Sequence, residues 1–210
     1  MPSVVEQAEA EEAKKPSPGK RAIPGVFLAI IASTIAIEGG YVRNPSDPGG
    51  ETNMGVTKVV ARQNGYQGPM RTLPREVAES IYYDKYIVEP GYEPLVAIDA
   101  PVTEELFDTS VNMGTYRPSK WFQQSTNELC GARLAVDGKV GPAAIAAYKA
   151  CQPRLGAARL CVGTLNSLDS KQKAEYERLV RVNPKLNVFL KGWLRNRINN
   201  VDRRKCSEGR

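Results

Sequence analysis

The chain has 210 residues, 41% apolar and 25% charged, an ordinary balance for a soluble globular protein with room for one large domain or two small ones sharing a core. It contains no histidine, which removes Ser-His-Asp and Cys-His nucleophiles and HExxH zinc sites; no Gly-rich phosphate loop appears either, so nucleotide chemistry is excluded with them. The net charge of +6 is uneven, with an acidic start (Glu6, Glu9, Glu11, Glu12) and a basic run from Arg178 onward, a distribution that suits a polyanionic partner.

Residues 1–21 offer little to bury and read as a disordered leader. From Ala22 to Ile37 the chain is uncharged and more apolar than anywhere else, and Glu38 follows at once. At just under the ~20 residues of a comfortable span, this segment reads either as a core helix or as a weakly apolar signal-anchor behind Lys20-Arg21. Gly39-Gly40 stops the helix, and Pro45, Asp47-Pro48 and Gly49-Gly50 punctuate a turn-rich stretch, so a small strand–turn region is expected over Tyr41–Thr57. Helices are then expected over Val56–Asn64, Leu73 to about Tyr86, Glu104–Met113, Pro118–Cys130, Pro142 to about Cys151, Ser170–Val182 and Asn187–Val201. No internal repeat is evident. The fold class is mainly α, a helical α+β arrangement with a small strand–turn lobe.

Cys130, Cys151, Cys161 and Cys206 all lie in the second half and contain no CxxC pair. Their even number fits one or two disulfides in an oxidising compartment, with three pairings open. Without histidine a metal site has few ligands to draw on, and no metal or cofactor is expected. The aromatics are not interleaved with the basic residues in a stacking pattern, which argues against nucleic acid.

Chemistry concentrates between Glu38 and Thr57. A glutamate closing an apolar helix is poorly solvated when ionised, so its pKa rises and it keeps a proton near neutrality, as a general acid requires. Asp47, in a Gly/Pro loop, stays ionised and suits a base that activates water from the opposite face of a sugar. Thr52 is placed to hold that water. Glu51 is the rival carboxylate, expected to face solvent. A carboxylate separation of about 6.5–9.5 Å would mean inversion at the anomeric carbon and about 5–5.5 Å retention.

These residues resemble a known family. Glu38-Gly39-Gly40-Tyr41-Val42, then Asn44-Pro45, Asp47, Gly49-Gly50, Thr52 and Gly55-Val56-Thr57 are similar to the signature of glycoside hydrolase family 108, the phage endolysins and related bacterial N-acetylmuramidases. The Glu38–Asp47–Thr52 spacing also resembles the Glu/Asp/Thr triad of phage-type lysozymes, in which the Asp-to-Thr interval is one residue longer. Phe107-Asp108-Thr109-Ser110-Val111-Asn112-Met113-Gly114 resembles the family's helix across the cleft. Phe122-Gln123-Gln124, Val136–Pro142 and Gly192-Trp193-Leu194 with Arg197 resemble the peptidoglycan-binding module that often follows.

The resemblance implies a lysozyme-like fold and hydrolysis of the MurNAc-GlcNAc β-1,4 bond of peptidoglycan. Glu38 would be the acid, Asp47 the base and Thr52 the water holder, with Tyr41 and Asn112 on the substrate and no metal. It divides the chain into a leader (1–21), a catalytic region (22–115), a wall-binding helical module (116–201) and a basic tail (202–210). It also implies a monomer in the periplasm of a bacterial host, with residues 22–37 as a signal-arrest-release segment transiently held in the inner membrane. A lytic transglycosylase, which needs one Glu and no water-activating carboxylate, and a non-catalytic wall-binding or secretion-accessory protein are the competing functions.

Overall fold

The computed structural model describes residues 22–43 and 50–207, the side chains at 37 and 38 excepted; the leader at 1–21 and Asp47 lie outside the described residues. The described part is mainly helical with one small antiparallel sheet, the α+β lysozyme-like class expected. The chain forms two compact units, one up to Asp84 and one from Lys85 onward.

In the first unit, helix α1 (Gly25–Glu38) buries Phe27, Ile30, Ile31, Thr34 and Ile35, a stripe at helical spacing. Its partner is α3 (Arg75–Tyr83), which turns Val77, Ala78, Ile81, Tyr82 and Tyr83 inward; the Phe27 and Tyr83 rings stand 5.2 Å apart. The 14 residues of α1 span only ~21 Å at ~1.5 Å per residue, against a hydrocarbon core of ~30 Å. Among the described residues no helix is long and apolar enough to cross a membrane.

Between α1 and α3 run β1 (Val42–Arg43), β2 (Glu51–Asn53) and β3 (Val56–Thr57), antiparallel in that order. Met54 and Gly55 join β2 to β3 with φ of 50° and 73°, the double left-handed turn that matches strand twist. The side chain of buried Asn53 donates to the Met70 carbonyl at 2.8 Å, and the Tyr82 hydroxyl donates to the Met54 carbonyl at 3.2 Å, so the hairpin is tied to the segments around it. Because Val56 and Thr57 pair as β3, α2 (Lys58–Gln63) starts later than expected; Thr57 caps it by accepting from the Val60 amide.

The second unit is a helical bundle of α4 (Ala100–Met113), α5 (Tyr116–Cys130), α6 (Pro142–Leu155), α7 (Ala157–Val182) and α8 (Asn187–Arg197). Helix α7 packs against the other four. The core joins Leu95, Leu106, Phe122, Tyr148, Leu160 and Leu165. Helix α4 starts before the expected Glu104 because Asp99 caps it, accepting from the Val102 amide, while the Tyr148 hydroxyl holds the other carboxylate oxygen at 2.8 Å. Helix α7 is 26 residues long, twice the expected segment, and α8 ends at Arg197, short of Val201.

Disulfides Cys130–Cys151 and Cys161–Cys206 fasten α5 to α6 and the start of α7 to a closing 3-10 turn (Arg203–Cys206). Residues 202–206 of the expected basic tail are therefore part of the fold. Much of their charge is spent internally: Arg203 pairs with Asp169, Arg204 with Asp202, and Lys205 with Glu104 at 2.7 Å.

Candidate active site

Glu38 is the last residue of α1, and the chain leaves the helix through Gly39 at φ 82°, a conformation glycine adopts at no steric cost. The last turn of α1 holds no basic residue. At this position the unsatisfied carbonyls and the negative end of the helix dipole oppose a carboxylate charge.

Thr52 is half-buried on the central strand β2, paired with Val42 on one side and Thr57 on the other. Strand pairing fixes its backbone from both sides. Tyr41 precedes β1, and its hydroxyl donates to Glu51 Oε1 at 2.8 Å. The Arg71 guanidinium lies 4.4 Å from the Tyr41 ring centroid. Lys58 holds the other Glu51 oxygen at 3.1 Å.

Sequence reasoning missed this chain of contacts. It expected Glu51 to face solvent, whereas Glu51 is half-buried with both oxygens engaged. The Tyr41 hydrogen bond, then that of Lys58, lower the pKa of Glu51, and the same hydrogen bond raises that of Tyr41. The only signal available was the hairpin register, which sets Arg43 opposite Glu51 and so brings Tyr41 near it.

In the second unit Asn112, exposed near the end of α4, accepts from the Tyr176 hydroxyl at 2.9 Å. Tyr176 in turn stacks on Trp193, with centroids 5.0 Å apart, and Trp193 on Phe189 at 5.9 Å. Asp108 of the α4 motif pairs with Arg197 of the α8 motif at 2.6 Å, and Asn200 donates to its second oxygen. Burial raises the Asp108 pKa against the opposing pull of Arg197.

The other two motifs also meet. Buried Gln123 donates to Asp137 Oδ1 at 2.8 Å and to the Lys139 carbonyl at 2.9 Å, and its Oε1 accepts from the Gly138 amide at 2.9 Å. One side chain thereby clamps the whole Asp137–Lys139 turn that feeds α6. Among the described residues no cluster of three or more Cys, Asp or Glu side chains is placed to hold a metal ion.

Residues 31–114 match the family model of glycosyl hydrolase 108, and residues 117–198 match that of a predicted peptidoglycan domain. Among solved structures, SagA of Brucella abortus is similar at 25% identity and a TM-score of 0.62, over 90% of this chain and 98% of that one. No curated protein matches the sequence. The two matches divide the chain elsewhere than the two compact units do: α4 belongs to the second unit but closes the first match.

Proposed function

We propose that the chain is a peptidoglycan-hydrolysing glycoside hydrolase, an endolysin-type N-acetylmuramidase cleaving the MurNAc-GlcNAc β-1,4 bond, because residues 31–114 match the model of glycosyl hydrolase 108 and residues 117–198 that of a predicted peptidoglycan domain. The observation that carries the proposal is the position of Glu38 at the negative end of the protein's most apolar helix. An acid there resists ionisation, holds its proton near neutral pH and can pass it to the glycosidic oxygen. As the bond breaks, positive charge develops on the sugar, and the helix dipole that opposed a carboxylate beforehand favours that cation.

In this reading Asp47 deprotonates a water on the opposite face of the sugar, and Thr52 holds that water by its hydroxyl. Tyr41 and Asn112 bind substrate. Glu51 is not the base: with Tyr41 on one oxygen and Lys58 on the other, it is committed to the hairpin. Its role is to set the Tyr41 ring beside Arg71.

Digestion of purified peptidoglycan by wild type and Glu38→Gln, with mass spectrometry of the fragments, tests the proposal. Reducing muramic ends from wild type, and a loss on the order of 10²–10⁴-fold in the variant, are expected. Anhydro ends would instead make the enzyme a lytic transglycosylase and remove Asp47 as base. Equal turnover in both proteins would overturn the site.

The substrate places the action outside the cytoplasm, and we assign it to the periplasm of a bacterial host. Export with residues 22–37 as a signal-arrest-release segment is part of the same proposal, argued from the uncharged apolar run behind Lys20-Arg21, which is short for a stable membrane span. A fusion of residues 1–40 to a periplasmic reporter is expected to be exported, and retention in the cytoplasm would refute this step.

A further inference from the structure

Five residues of α5, namely Tyr116, Arg117, Lys120, Trp121 and Gln124, line one cavity with Glu175 of α7; its volume is about 320 Å³. Their spacing places them on a single face of the helix. The volume falls at the lower end of small-ligand clefts, which run from about 300 to 1,000 Å³, so it takes a sugar-sized segment rather than a strand.

The lining combines two chemistries. Trp121 is half-buried against the core, which fixes its ring, while Tyr116 is 60% exposed. An exposed ring is ordinarily mobile, but this one is seated: a Cβ at Gly138 would come within 2.4 Å of it, so the turn has to carry glycine for the ring to lie there. The Gln123 clamp holds that same turn. A flat apolar surface backed by the turn suits the C–H face of a sugar.

The second chemistry is cationic. Lys120 lies 5.2 Å from the Tyr116 ring centroid. Arg117 reaches Glu175 at 3.0 Å, but Arg178 already engages both oxygens of that carboxylate, at 2.7 and 2.8 Å. One acid is thus shared by two arginines, and with Lys120 the cavity keeps an excess of positive charge. A neutral glycan would have no use for it, whereas the carboxylates of peptidoglycan stem peptides would.

We propose that this cavity is the wall-binding site of the second unit, taking an amino sugar against Trp121 and Tyr116 and a stem-peptide carboxylate at Lys120 and Arg117, with Gln124 bonding an amide. The inference rests on the peptidoglycan reading above and names where and by what chemistry the wall is held.

The test uses the full chain carrying Glu38→Gln, so that the wall is not digested, and measures co-sedimentation with purified sacculi. Adding Tyr116→Ala or Lys120→Gln is expected to weaken binding about tenfold each, from the loss of an aromatic platform or a charge contact. Sacculi stripped of stem peptides by an amidase are expected to bind the parent chain weakly and to lose the effect of Lys120→Gln. Sacculus binding by both variants equal to that of the parent would overturn the site. So would undiminished binding to stripped glycan, which would leave the carboxylate without a role.

Thermal melting of each variant separates a lost contact from a lost fold, and Lys120→Gln, at a solvent-accessible position, serves if Tyr116→Ala melts early. Digestion of sacculi by the wild type is scored separately. Digestion with unaltered binding by the variants refutes the cavity alone, whereas absence of both digestion and binding refutes the functional reading beneath it.

Discussion

Glu105 lies on α4 with 1% of its surface exposed, accepting from the Thr109 hydroxyl at 2.9 Å. Its Oε2 has no hydrogen-bond partner among the described residues. Burial first, then the charges of Asp169 and Asp108, push its pKa up to about 8, against weaker opposition from Thr109 and Arg203. The folded protein therefore keeps a proton that the unfolded chain releases near 4.5. The stability this proton contributes is complete below that value and is lost as pH rises toward 8, with a slope of about 1.4 kcal/mol per pH unit. Glu105→Gln should flatten denaturant stability between pH 5 and pH 8 and exceed wild type at the alkaline end. An unchanged slope would mean the carboxyl ionises in place. A second residue-scale outcome separates the rival carboxylates of the hairpin. Glu51→Gln keeps the Tyr41 bond and should retain activity within about tenfold, whereas Asp47→Asn should lose about 100-fold or more if Asp47 is the base. Turnover of sacculi by the two purified variants decides it.

At the scale of elements, the Gln123 clamp shows what sequence could and could not convey. The Asp137-Gly138 turn ahead of Pro142 was readable, because glycine tolerates the φ of 81° and proline opens a helix. That Gln123, from the preceding helix, would make three bonds to the turn was not, since no local rule links a glutamine to a turn fourteen residues on. Gln123→Ala should cost about 3 kcal/mol, since it empties a buried site and orphans the Gly138 amide. Asp137→Ala, at a solvated carboxylate, should cost clearly less. Urea midpoints at constant slope measure both. The same limit explains the misjudged start of α2. Val56 and Thr57 have helix behind them and strand pairing beside them, and only the β2 partner settles which prevails. The first half of α7 buries Leu160, Cys161, Thr164, Leu165 and Leu168 at helical spacing, a stripe that was present in the sequence and passed over there. By contrast α1 was legible along nearly its whole length, because an uncharged apolar run ended by glycine leaves few alternatives. The candidate site divides likewise. Glu38 and Thr52 could be singled out by chemistry and spacing, while Tyr41–Glu51–Lys58 and Asp108–Arg197 depend on strand register and on a contact 89 residues apart.

For the whole molecule, the placement of the cross-links has a consequence for where the chain can work. Both disulfides lie in the second unit, closing loops with sequence separations of 21 and 45 that do not overlap. On the chain-entropy account they stabilise by about 3.3 and 4.0 kcal/mol, and because the loops are separate the two contributions add. A total of about 7 kcal/mol is comparable with the entire stability of a typical domain, about 5–15 kcal/mol. The first unit has no such dependence, since its core of α1, α3 and the hairpin contains no cysteine. Excess thiol should therefore melt the second unit at a temperature where the first persists. Limited proteolysis in reductant should cut first after Lys85, whereas the oxidised chain resists throughout. A single coincident loss of both units would show that they fold as one cooperative body. In a reducing cytoplasm the second unit would then be marginal, and if the chain acts outside the cytoplasm as proposed, the oxidising compartment that holds the substrate would also complete the fold of this bundle.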